Sequence, residues 1–138
     1  MIIRDHNDLV SYFVNNRIGF AKLVHEITGE EPADYPDTEV RVPEQKTGRI
    51  DAVAKTKDQK IAFELYYVPP GVSEVIQKIQ QRRERATNVA RWVAVIPQSR
   101  LEEYGVRLSS QGIHVAWWCE AESGVEFELA ARYQVHDP

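Results

Sequence analysis

Gly48-Arg49-Ile50-Asp51-Ala52-Val53-Ala54-Lys55 and Lys60-Ile61-Ala62-Phe63-Glu64-Leu65-Tyr66-Tyr67 are the two runs on which the reading of this chain turns. Between them Thr56-Lys57-Asp58-Gln59 is polar and turn-prone, so the pair predicts an antiparallel hairpin. In the second run Ile61, Phe63, Leu65 and Tyr67 alternate as an apolar face, which leaves Lys60, Ala62, Glu64 and Tyr66 on the other side. Each run thus carries one carboxylate, Asp51 or Glu64, among apolar neighbours. Such a carboxylate is costly unless it is paired, hydrogen-bonded or bound to a metal. One reading is structural: Asp51 pairs with Arg49 or Lys60, and Glu64 with a cation from a covering helix. The other is chemical, and it depends on what surrounds the hairpin.

Upstream, Asp5 can cap a helix with Asp8 in its first turn. An apolar stripe follows through Leu9, Phe13, Phe20, Val24 and Ile27 and is closed by Gly29. Gly19 is compatible with one helix or two. Pro32 and Pro36 mark an acidic loop, Thr38 to Val42 alternates as a half-buried strand, and Pro43 to Gly48 turns it into the Asp51 strand. Downstream, Val68-Pro69-Pro70-Gly71 must be a loop. Ser73 is the expected cap of a helix running to Ala86, with Val72, Val75, Ile76, Ile79 and Arg83 on one face and Glu74, Lys78, Arg82 and Arg85 on another. Trp92 to Ile96 reads as a buried central strand. Ser99-Arg100-Leu101-Glu102 reads as a capping box opening a third helix that ends at Gly112. Ile113 to Cys119 is a further strand with Trp117 and Trp118 on opposite faces, and Val125 to Tyr133 is a hairpin arm or a helix.

At 138 residues, with 43% hydrophobic and 28% charged residues, the chain has the size and composition of a single globular domain spanning residues 1–138. No apolar run approaches the roughly 20 residues that cross a bilayer, and Met1-Ile2-Ile3-Arg4-Asp5 lacks a signal-peptide pattern, so no membrane partner and a cytoplasmic location are expected. A single cysteine, Cys119, excludes an internal disulfide and a cysteine-based zinc cluster. The net charge of −4 gives no global attraction to nucleic acid. Residues 73–91, however, carry five Lys and Arg against two Glu, a local net of +3, and Lys78, Arg82 and Arg85 could follow a phosphate backbone.

In element order the chain resembles the PD-(D/E)xK nuclease superfamily, the fold of restriction endonucleases and Holliday-junction resolvases. The resemblance rests on an acid ending one strand, Asp51, a second acid thirteen positions on in the next, Glu64, and a following helix rich in Gln, Lys and Arg. It spans roughly residues 5 to 118 and implies an α/β fold with an αβββαβαβ core, its central mixed sheet flanked by helices. Ile50 stands where the name-giving motif has Pro, and Tyr66 stands where it has Lys. The resemblance implies a Mg²⁺-dependent (or Mn²⁺-dependent) DNA endonuclease or resolvase-like phosphodiester hydrolase. Asp51, Glu64 and the Leu65 carbonyl would be its metal ligands, and cutting two strands is simplest for a homodimer. Glu26, and after it Glu39, are candidates for a third acid, while Gln77 lies where several branches turn a Gln toward the metal. Tyr66 is neutral near pH 7, so the missing cation would come from Lys78 or, after it, Lys60. The alternatives are a catalytically inactive nuclease-fold protein that binds nucleic acid or a protein partner, and an unrelated α/β protein whose acids are structural.

Overall fold

The computed structural model describes residues 3–33, 36–41, 49–122, 124–133 and 135, with backbone alone for 39–41. The hairpin forms as β2 (Arg49–Lys55) and β3 (Lys60–Leu65). Its turn is closed by Thr56, whose amide donates to the Gln59 carbonyl and whose hydroxyl accepts from the Gln59 amide at 3.1 Å. Thr56 Oγ1 and Gln59 Nε2 both donate to Glu30 Oε1, at 2.7 and 3.1 Å, which ties the turn to the loop after the second helix.

Around the hairpin a six-stranded mixed sheet is laid down in chain order. β1 (Asp37–Arg41), β2 and β3 are mutually antiparallel; β3, β4 (Arg91–Pro97) and β5 (His114–Ala121) are parallel; β6 (Gly124–Leu129) returns antiparallel to β5. Parallel neighbours need crossovers, supplied by α3 (Val72–Arg85) and α4 (Leu101–Ser110). α1 (His6–Asn15) and α2 (Arg17–Thr28) precede the sheet. The chain is therefore an α/β protein with helices on both sheet faces.

Alternation along the strands sorts the core into two layers. Ala52, Ala54, Ile61, Phe63, Val93 and Val95 face α1 and α2, where Phe13 meets Phe20, Phe63 and Phe127 at centroid distances of 5.8, 5.0 and 5.1 Å. Fully burying each such ring is worth about 2–3 kcal/mol. Ala62, Trp92, Ala94, Ile96 and Val115 face Val75 and Ile79 of α3 and Tyr104 and Leu108 of α4. Trp118 belongs to the first layer and Trp117 packs on the second, as their alternation requires.

Several expected boundaries move for local reasons. The first helical region breaks at Asn16 rather than at Gly19, because the Asn16 side chain accepts from the Gly19 amide at 3.0 Å and caps α2. Ser73 does not cap α3, which starts from Gly71 without a side-chain cap; Ser73 Oγ instead accepts from Arg107 Nη2 at 2.9 Å. The expected capping box does not form either: a 3₁₀ turn, Gln98–Arg100, precedes α4, and Arg100 turns to Glu103. The C-terminal arm is a strand. The Pro43 to Gly48 turn and the Glu39 side chain lie outside the described residues.

Candidate functional site

Where the hairpin opens, its two acids meet. The ladder between β2 and β3 ends at Ala52↔Phe63, and its register carried one step further sets Asp51 opposite Glu64. β3 stays paired to β4 through Leu65↔Val95, and Tyr66 N donates to the Val95 carbonyl. The Leu65 amide, left without a strand partner on the β2 side, donates to Asp51 Oδ2 at 2.8 Å. The Asp51 carboxylate thus stands in for a backbone acceptor at the fork. This is the C-terminal end of β3 beside a parallel neighbour, the end at which open α/β sheets place their ligands.

Each acid also meets a basic side chain from a helix. Asp51 Oδ2 lies 3.1 Å from His6 Nε2, at the start of α1, with the two side chains 17% and 46% exposed. Glu64 Oε2 lies 2.8 Å from Arg82 Nη1 of α3, with the side chains 4% and 21% exposed. Glu64 Oε1 is buried without a hydrogen-bond partner, and so is the Tyr66 hydroxyl. Burial first, and then the Asp51 charge, raises the Glu64 carboxyl well above the ordinary carboxylate range, with Arg82 pulling the other way; when Glu64 carries its proton the Asp51 side chain can accept a hydrogen bond from it, which adds to the rise. Burial and the Glu64 charge push the Tyr66 phenol upward, so it is a neutral hydrogen-bond donor. The hydrogen bond to Asp51 raises the His6 imidazole against the opposing effect of its partial burial, with smaller contributions from the Asn7 side chain and the Leu65 backbone.

The remaining residues singled out in the sequence lie elsewhere. Lys78 is half exposed and pairs with Glu74 at 3.6 Å. Lys60 begins β3, four residues before Glu64 and about 13 Å away along a strand. Gln77 lines a groove between α3 and α4 with Gln80, Arg107 and Gln111. Glu26 is on α2, 3.8 Å from Lys22, and borders a cavity with Arg91 and His114, the first residues of β4 and β5. That is the opposite end of the sheet from Leu65. Arg85, the last residue of α3, is exposed.

Two residues acquire roles the sequence did not announce. The sequence groups Arg82 with Lys78 and Arg85 as a phosphate contact, yet Arg82 follows Val75 and Ile79 at i+7 and i+3, the spacing of the inward face of α3. His6 precedes Leu9 and Phe13 at the same spacing on α1. Arg83 is also committed, donating to the Gln111 and Gly112 carbonyls at 3.1 and 3.3 Å after α4. Among the described residues no three His, Cys, Asp or Glu side chains converge as a metal cluster. Gathered at the fork are the Asp51 carboxylate, Glu64 Oε1 and the Leu65 backbone, whose amide meets Asp51 and which also contacts His6. No helix among the described residues is long and apolar enough to cross a membrane. No family model, curated protein or solved structure matches the chain, so the geometry of the fork is what bears on its chemistry.

Proposed function

We propose that the chain is a metal-assisted phosphodiester hydrolase acting on DNA, of the PD-(D/E)xK type that its element order resembles. The observation carrying this reading is the meeting of Asp51 and Glu64 at the fork of β2 and β3, one carboxylate partly open and the other buried with an unpartnered oxygen. Two acids close enough for one to raise the other's pKa form a local excess of negative charge that a hard cation relieves. Asp51, Glu64 Oε1 and the Leu65 carbonyl are oxygen donors of the kind Mg²⁺ or Mn²⁺ takes, and they would hold it. Bound there, the ion would supply Lewis-acid polarisation of a phosphoryl oxygen and a water of lowered pKa.

The chain's own groups supply the rest. Arg82 brings the positive charge that Tyr66 lacks at the motif position. Its guanidinium has five donors in a planar fork, more than Glu64 Oε2 can accept, which leaves donors for a phosphoryl oxygen. The Tyr66 hydroxyl, buried without a partner, would offer a hydrogen bond without adding charge. His6, half exposed and held by Asp51, is a proton-carrying group at the fork.

The same ion pairs favour a second reading. With Glu64 on Arg82 and Asp51 on His6, both acids already have a basic partner, as in a nuclease-fold protein that binds nucleic acid or a protein without cutting. Incubation of single-stranded, duplex and branched DNA with Mg²⁺ or Mn²⁺ separates the two. The first reading expects metal-dependent cleavage that Asp51→Asn and Glu64→Gln each abolish. Binding without cleavage by the wild type would move the chain to the second.

A further inference from the structure

Asp51 faces two ways. With His6 it also borders a half-open cavity of about 260 Å³ between α1 and the β1–β2 edge of the sheet. The walls divide by chemistry. Val10 and Val14, one helical turn apart on α1, give apolar surface, while Asn7, Ser11 and Thr38 bring an amide and two hydroxyls. Apolar walls with a few polar groups are the usual make-up of a small-ligand site, and this volume is just below the roughly 300 Å³ at which such sites begin. It admits one nucleoside-sized group and not a base pair.

Taking the phosphodiester reading of the fork as given, we infer that this cavity seats the base and sugar of one unpaired nucleotide whose phosphate lies at Asp51. A nucleobase has apolar faces and a polar edge. Val10 and Val14 suit the faces, and the Asn7 amide, which can donate and accept together, suits the edge, with the Ser11 and Thr38 hydroxyls beside it. A base inside a duplex would have to be flipped out to enter, at a cost of a few kcal/mol that an unpaired base avoids. The occupant is therefore a single-stranded end, a gap or a free short nucleotide, and an intact duplex is the poorer ligand.

The test is binding, measured with Ca²⁺ in place of Mg²⁺ or Mn²⁺ so that a cation relieves the charge of the two acids, and again without divalent metal, so that it does not depend on hydrolysis. Fluorescence anisotropy would be measured with a labelled thymidine oligonucleotide, with the same strand in a blunt duplex, and with an unlabelled dinucleotide as competitor. The expected result is that the single strand binds more tightly than the duplex and that Ser11→Trp, which fills the cavity from an exposed position, weakens strand binding roughly tenfold, as expected for loss of one base's contacts. Asn7→Ala should weaken it in the same direction, with thermal melts unchanged for both variants. Competition by the dinucleotide at matching concentration would make a free short nucleotide the occupant; weak competition would make it a strand. No strand or dinucleotide binding, equal binding of duplex and strand, or an unaffected Ser11→Trp would overturn the inference. A nuclease assay that fails while Ser11→Trp still loses strand binding would count against the hydrolase and not against the cavity.

Discussion

Arg82→Ala should destabilise the chain by an amount that grows with pH. Burial raises Glu64 in the folded state, so its protonated form favours folding. That contribution is full below the ordinary value of 4.5 and is lost as pH rises through the folded value. Arg82 opposes the shift; without it the folded value climbs further and the loss extends to higher pH. Toward pH 5 the raised Glu64 carboxyl favours its protonated form in either protein, and the variant loses a hydrogen bond and some stem packing, about 1 kcal/mol. At pH 8 the variant must either leave a carboxylate uncompensated at 4% exposure or hold a proton against the solvent. Removing one partner of a buried pair costs about 3–5 kcal/mol. Because Arg82 is 21% exposed and Glu64 can still take a proton, about 2–3 kcal/mol is the expected loss at pH 8. Urea unfolding of both proteins at the two pH values, analysed with a common slope, measures the difference. A loss of equal size at pH 5 and pH 8 would refute the argument, since it would mean that Arg82 contributes packing and no charge compensation.

Three further outcomes are expected. Gly105→Ala would set a Cβ 2.5 Å from the Tyr133 ring and should cost about 1–3 kcal/mol by overcrowding, whereas in a Tyr133→Ala background, where only helix propensity remains, it should be neutral or stabilising; thermal melts of the four proteins decide this. His6 should titrate above its ordinary 6.5 by NMR in metal-free protein and return toward it in Asp51→Asn, and its ion pair should stabilise the fold below 6.5 and fade as pH rises through the folded value. At 46% exposure that stabilisation stays under about 1 kcal/mol, and an unshifted His6 would remove the contact. If DNA is bound along α3, Lys78→Ala and Arg85→Ala should each reduce the salt dependence of affinity by about one unit, while salt-independent binding would reduce those residues to a solvated face.

The hairpin was legible because period-two alternation, a polar turn and paired prolines all agree over 48–71, and a register error would turn every apolar residue outward. The two crossovers followed from helix-length amphipathic runs between apolar strands. What failed was cap chemistry: Ser73 and Ser99 look like caps in one dimension, but Ser73 is engaged by Arg107 across the helix pair and Arg100 by its own Glu103. The site was half legible. Asp51 and Glu64 could be picked out as carboxylates in apolar strands, and a helix cation for Glu64 was among the alternatives. That alternative names no residue, and the nuclease reading draws its missing motif cation from Lys78 or Lys60; helical phase favours Arg82, one turn beyond Lys78 and in step with Val75 and Ile79. His6 could be placed only once α1 was laid across the open end of the hairpin, a non-local contact to which no spacing rule points.

Calorimetric titration of the chain with Mn²⁺ or Mg²⁺, repeated on Asp51→Ala, tests the central claim most directly. A cation site built from Asp51, Glu64 Oε1 and the Leu65 carbonyl predicts saturable one-site heat in the wild type, its loss in Asp51→Ala, and no change in Lys78→Ala, whose ammonium lies on the outer face of α3. Absence of saturable heat in the wild type, or the same isotherm in Asp51→Ala, would contradict a metal-assisted hydrolase at this fork.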